Sequence, residues 1–154
     1  MDRPRVAAVA LLVLALTTAG CVGTPTGTPT ATPLPAGNVE LPDGPKQAPE
    51  RPTTLNRSTV REYVGAYEYR FAYNSLRISE YTDVTLDCRV DSVTERPWGY
   101  EAVVTCTGHS YTNVPANATA TPGPHADWFT QSFRYRVSER ATHRQQVDPR
   151  EPVS

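Results

Sequence analysis

The distribution of proline decides where this chain can build a core. Eight of the fifteen prolines fall between Val22 and Thr54, in a segment dominated by Thr, Pro, Gly and Ala that includes the near-repeat Gly23-Thr24-Pro25-Thr26-Gly27-Thr28-Pro29-Thr30. Such a composition buries too little apolar surface to offset the entropy of ordering it, and its prolines favour extended conformations. The segment therefore reads as a disordered spacer, able to reach roughly 100 Å at about 3 Å per residue. Of the 154 residues, roughly 90 are left for one modest core.

Ahead of the spacer stands a targeting segment. Arg3 and Arg5 precede an unbroken apolar run from Val6 to Leu16, and small residues follow up to Cys21. The run is too short to cross a bilayer as a helix and has the proportions of a cleaved signal. Leu16-Thr17-Thr18-Ala19-Gly20-Cys21 resembles the lipobox of exported lipoproteins, in which small residues admit the processing enzyme and the thiol takes the lipid; Thr18 stands where Leu is commoner. Pro4 separates the two arginines, which favours the general secretion route over the twin-arginine route. The competing readings are an ordinary signal with an incidental cysteine, or an uncleaved anchor. Three cysteines agree with lipidation, because two can pair in an oxidising compartment and the one left over is Cys21.

Beyond the spacer the periodicity becomes helical. Val60, Val64, Tyr67, Phe71 and Ile78 share a stripe with Tyr63 beside it, predicting a helix from about Asn56 to Ser79 with Ser58 or Thr59 as its cap. Gly65 weakens that helix and suggests a close approach to the sheet. The period then changes to two: Val84, Leu86, Cys88 and Val90 alternate with Thr85, Asp87, Arg89 and Asp91. A second strand carries Ala102, Val104 and Cys106. If the hairpin turns about Pro97, Leu86 faces Gly108, Cys88 faces Cys106 and Val90 faces Val104, so one register satisfies the apolar pattern and a Cys88 to Cys106 disulfide. A third strand alternates Phe129, Gln131, Phe133, Tyr135 and Val137 with Thr130, Ser132, Arg134 and Arg136. The expected fold is α+β, one N-terminal helix packed on a three-stranded antiparallel meander. The expected division is a signal peptide 1–20, a lipid-anchored linker 21–54, an extracellular domain 55–148 and a flexible tail 149–154.

The order of helix and meander is similar in topology to cystatin-like and nuclear-transport-factor-like folds. The whole chain, with its short signal, Thr/Pro tether and Arg57-Ser58-Thr59-Val60-Arg61-Glu62-Tyr63-Val64 opening a Tyr-rich helix, resembles exported lipoproteins of halophilic archaea. That resemblance implies a cell-surface location and assigns no functional residue. The net charge of −1 departs from the acidic surfaces usual there and leaves a high-GC actinobacterial source open.

No strongly basic balance supports nucleic-acid binding. Arginine supplies all of the basic residues but Lys46, a skew that points to coding bias rather than function. His109, His125 and His143 lie on a strand, a loop and a tail without metal spacing, so no metal or other cofactor is expected. Asp87 and Asp91 share the outward face of the first strand, where a carboxylate pair suits acid-base work and a solvated face looks the same. No serine sits in a nucleophile elbow, and no glycine-rich loop joins strand to helix. Arg134, Arg136, Arg140 and Arg144 form the best positive cluster, more economically a solvated strand face than an anion site. Asn56 and Asn117 open N-x-[ST] sequons, with Asn117 in a loop. Trp98 at the hairpin tip, Trp128 and outward Val103 are the aromatic and apolar candidates for contact with a partner. The reading is a non-catalytic, membrane-anchored binding module whose partner is another envelope protein; the alternative is a small hydrolase or ligand-carrying domain.

Overall fold

The computed structural model describes residues 31–119 and 125–147, apart from the side chain of Trp128. The signal segment, Cys21, the first part of the tether and the tail from 148 lie outside the described residues.

The elements run β1 (Gly37–Asn38), α1 (Arg57–Leu76), β2 (Thr82–Arg96), β3 (Gly99–Thr112), β4 (Ala126–Val137) and β5 (Ala141–Gln146). The sheet order is β1-β5-β4-β3-β2, antiparallel throughout except that β1 runs parallel to β5. The class is α+β as expected, but the sheet is a mixed one of five strands and not a three-stranded meander. The added strands lack the signal by which strands are found. Ala141–Gln146 has no alternating apolar residues, and Gly37–Asn38 belongs to the segment whose composition reads as tether.

The helix cap lies two residues before Ser58 and three before Thr59. Asn56, in an extended conformation, is the N-cap; its side-chain carbonyl accepts from the backbone of Ser58 and Thr59, and Thr59 Oγ1 accepts from the Asn56 backbone at 3.0 Å. This is a capping box with Asn in place of Ser and Thr in place of Glu. Leu55, just outside it, packs against the core that includes Val60. The helix ends at Leu76, short of Ser79, because Ser79 and Thr82 close a hydroxyl-supported turn that takes the chain into β2. Ile78, expected on the buried stripe, falls past the helix end and is 51% exposed.

Val60, Tyr63, Val64 and Tyr67 follow the helical repeat and bury against Ala102, Val104, Phe133, Tyr135 and Val137 on the sheet. A methyl group at Gly65 would sit 3.1 Å from a Val90 methyl, so this glycine does mark a close approach of helix to sheet. The β2/β3 register pairs Leu86 with Gly108, Cys88 with Cys106 and Val90 with Val104, and the two thiols form a disulfide with Cα atoms 4.1 Å apart. A bulge at Asp91 then shifts the register by one, so the hairpin closes on Arg96 and Gly99 around the two-residue turn Pro97-Trp98. Gly99 takes a φ of +145°, and a Cβ there would meet the Val137 carbonyl at 2.3 Å.

The packed body also starts earlier than residue 55. Val39 and Leu41 pack on the core, and Val39 N–H donates to the Thr142 carbonyl. Arg51 donates to the carbonyls of Ser138 and Ala141 and to Thr142 Oγ1 and Asn38 Oδ1. Asn74, buried on α1, holds the loop at Pro42 and Lys46 through three hydrogen bonds. Composition does not distinguish proline that spaces from proline that lies on a surface, and these long-range donors decide which it is.

Candidate functional site

At the end of the sheet far from the Pro97-Trp98 hairpin, β3 and β4 bring together side chains that the sequence scatters. The Tyr111 ring stacks on His125, with centroids 4.3 Å apart at 28°, and His109 stands edge-on to Tyr111 at 5.1 Å. Both nitrogens of the His125 ring meet acceptors, Nδ1 the Ser110 carbonyl at 2.8 Å and Nε2 the Asp127 carboxylate at 2.7 Å. A ring held at both ends has a fixed orientation, and Tyr111 stacks on that fixed ring. Tyr111 is 51% exposed, and Phe129 on β4 is 75% exposed. Phe129 was expected to face the core. A register shift between Cys106 and Gly108 sets two β4 residues against Thr107, so the alternation that buries Phe133, Tyr135 and Val137 no longer holds at Phe129.

The histidines therefore converge in part: His109 and His125 lie 6.3 Å apart, whereas His143 is separate and bonds the Pro35 carbonyl. Among the described residues no group of three His, Cys, Asp or Glu side chains is placed to hold a metal ion.

The other sequence candidates disperse. Asp91 occupies the β2 bulge, paired with Arg89 at 2.8 Å and accepting from the Thr105 hydroxyl, so it does not face Asp87 as one of a catalytic pair in register. Around it the outward face is a lattice of hydroxyls, with Thr105 to Ser132 and Thr107 to Thr130 each at 2.7 Å. Trp98 is part-exposed in the hairpin turn. Val103, expected as an outward docking residue, is only 7% exposed, because on a central strand it is flanked in register by Ser92 and Arg134. Asn56 and Asn117 are both exposed, the first as the helix cap and the second in a turn closed by Ala118 N–H on the Pro115 carbonyl.

The four arginines do not form one cluster. Arg136 lies 3.8 Å from Glu101 on the outer face, whereas Arg144 turns inward to Glu68. Its Nε and Nη2 donate to the two carboxylate oxygens of Glu68 at 2.7 and 2.8 Å, and the Tyr135 hydroxyl donates to Oε2 at 2.7 Å. The guanidinium carbon sits 3.7 Å from the Phe71 ring centre and 3.6 Å from that of Phe133, sandwiched between them. Burial, then the Glu68 charge and its hydrogen bond, push the Tyr135 phenol far above the ordinary 10.0. Glu68 is fully buried and both of its carboxylate oxygens accept hydrogen bonds from within the core, which suits a structural group.

A second concavity lies where the N-terminal segment crosses α1. A cleft of about 340 Å³ is lined by Lys46, Gln47, Ala48, Ala66, Tyr69 and Arg70. Lys46 Nζ stands 4.2 Å from the Tyr73 ring centre and 5.4 Å from that of Tyr69. Neither Lys46 nor Arg70 was singled out from the sequence for this role, since Lys46 sits in the supposed tether. Glu68 did leave a signal: it follows Val64 by one helical turn on the apolar stripe and so demands a partner.

The chain matches no family model, no curated protein and no solved structure.

Proposed function

We propose that this chain is a lipid-anchored cell-surface module that binds another envelope protein without catalysing a reaction. The observation that carries the reading is the exposure of Tyr111, stacked on His125, and of Phe129 on β4, large rings that stand on the sheet surface rather than in the core. Rings of this kind give contact area at little entropic cost, and the paired histidines add polar edges. Asp91, the best acid-base candidate, is committed to Arg89 and Thr105, which favours binding over hydrolysis. Cys21 carries the lipid, the tether segment spaces the domain from the bilayer, and Asn117 is the better placed sequon for a sugar.

The test is cross-linking of the exported protein in its own envelope, compared with Tyr111→Ala and Phe129→Ala. A specific adduct that both substitutions reduce supports the module. Unchanged adducts, together with hydrolase activity abolished by Asp91→Asn, overturn it. For the anchor, Cys21→Ser protein leaves the membrane fraction; retention there places the anchor elsewhere.

A further inference from the structure

We infer that the cleft between the 46–48 segment and α1 binds a small organic carboxylate, with Arg70 and Lys46 taking the charged group. This site is separate from the aromatic surface on β3 and β4 and does not rest on its role.

Three observations converge on the cleft. The first is Arg70, which lines the cleft and makes no hydrogen bond or ion pair among the described residues, its Nη1 being shut off from water as well. A guanidinium N–H withdrawn from water without an acceptor is costly, and native proteins keep such groups where something else satisfies them. The second is the position of Lys46. Its ammonium lies over the Tyr73 and Tyr69 rings, and no acidic side chain lines the cleft with it. The loop that carries Lys46 is fixed rather than free: Asn74 Oδ1 accepts from Lys46 N–H, and Asn74 Nδ2 donates to the carbonyls of Pro42 and Lys46. Gly44 makes this possible, since a Cβ there would lie 2.5 Å from the Asn74 amide. The third is the wall, formed by the Ala48 and Ala66 methyl groups and the Tyr69 ring.

Together these are a forked donor, a point charge and an apolar floor, the requirements of an anionic head on an apolar body. The lining of Ala48, Ala66 and Tyr69 beside the two cations favours an anion carried on an apolar body over free inorganic phosphate. A volume of about 340 Å³ suits a single-ring acid.

The probes are benzoate, its neutral analogue benzamide, and inorganic phosphate, titrated into isotope-labelled exported protein and followed by amide and arginine Nε resonances. Benzoate shifts Arg70 Nε–H and the amides of Ala48, Ala66 and Tyr69 in a saturable way, and benzamide and phosphate bind at least about tenfold more weakly. Arg70→Gln weakens benzoate by about tenfold, and Lys46→Gln by less, with a loss that added salt reproduces in the parent protein. Lys46→Gln tests the site independently should Arg70→Gln fail to fold. Equal shifts with benzamide, tighter binding of phosphate, responses confined to residues outside the cleft, or no response to benzoate each overturn the proposal.

Discussion

Glu68 on α1 and Arg144 on β5, separated by 76 residues of chain, form a two-point ion pair that joins the helix to a strand and is fully closed over on the Glu68 side. Both ends are also anchored otherwise, Glu68 by the Tyr135 hydroxyl and Arg144 between the Phe71 and Phe133 rings. Loss of one partner leaves an uncompensated buried charge, so Glu68→Ala or Arg144→Ala costs about 3–5 kcal/mol. Replacing the group as a whole by apolar residues, Glu68→Leu with Arg144→Met and Tyr135→Phe, recovers most of that loss. Urea unfolding of the three proteins decides it, and a triple variant no more stable than the singles contradicts the assignment.

Tyr135 gives the protein an alkaline limit. Its phenol is raised in the folded state by burial and by Glu68, so the folded protein keeps a proton that the unfolded chain gives up near its ordinary value of 10.0. Tyr67 is raised as well, by burial first and then by Tyr63 and Glu40. The sign follows from linkage: this stabilisation is complete below pH 10 and is lost as pH rises above it, by at most about 1.4 kcal/mol per pH unit for each group. Thermal midpoints recorded across the alkaline range fall beyond pH 10 in the parent, and fall less steeply in Tyr135→Phe relative to that variant's own neutral value.

The disulfide closes the β2/β3 hairpin between Cys88 and Cys106, which are 18 residues apart. Restricting the unfolded chain over a loop of that length stabilises by about 3 kcal/mol. Cys88→Ala with Cys106→Ala lowers the urea midpoint correspondingly. A thiol count on the oxidised protein finds neither Cys88 nor Cys106 reactive.

The folded unit begins at Ala31 rather than at residue 55. A version starting at residue 55 loses β1, the Arg51 hydrogen bonds and the loop bound to Asn74, and is less stable than one starting at residue 31 by at least about 2 kcal/mol. Parallel denaturation of the two measures the difference; equal stability shows the N-terminal segment to be energetically idle.

Periodicity alone located α1 and the first two long strands and set the pairing of Cys88 with Cys106, because a half-buried helix and a half-buried strand write their spacing into the chain. The same rule misplaced Phe129. A bulge adds one residue and reverses every alternation beyond it, and no residue type at Asp91 or near Thr107 announces one. Strand β5 and the pairing of Gly37–Asn38 were illegible for a related reason: they are held by backbone ladders and by Arg51 reaching from another part of the chain, contacts that leave no local pattern.

What the sequence determined by itself was local: helix, alternating strands and the register of one hairpin. The tertiary structure decided which charged residues meet. Glu68 and Arg144 are neighbours only because α1 packs across β2, β3 and β4 and the long Arg144 side chain reaches it from β5, and Lys46 joins Arg70 only because Asn74 ties the Pro42 to Lys46 loop down. Neither meeting is encoded in spacing along the chain, since both depend on how separately formed elements pack, and a pairing energy between distant side chains exists only once that packing has brought them within a few ångströms.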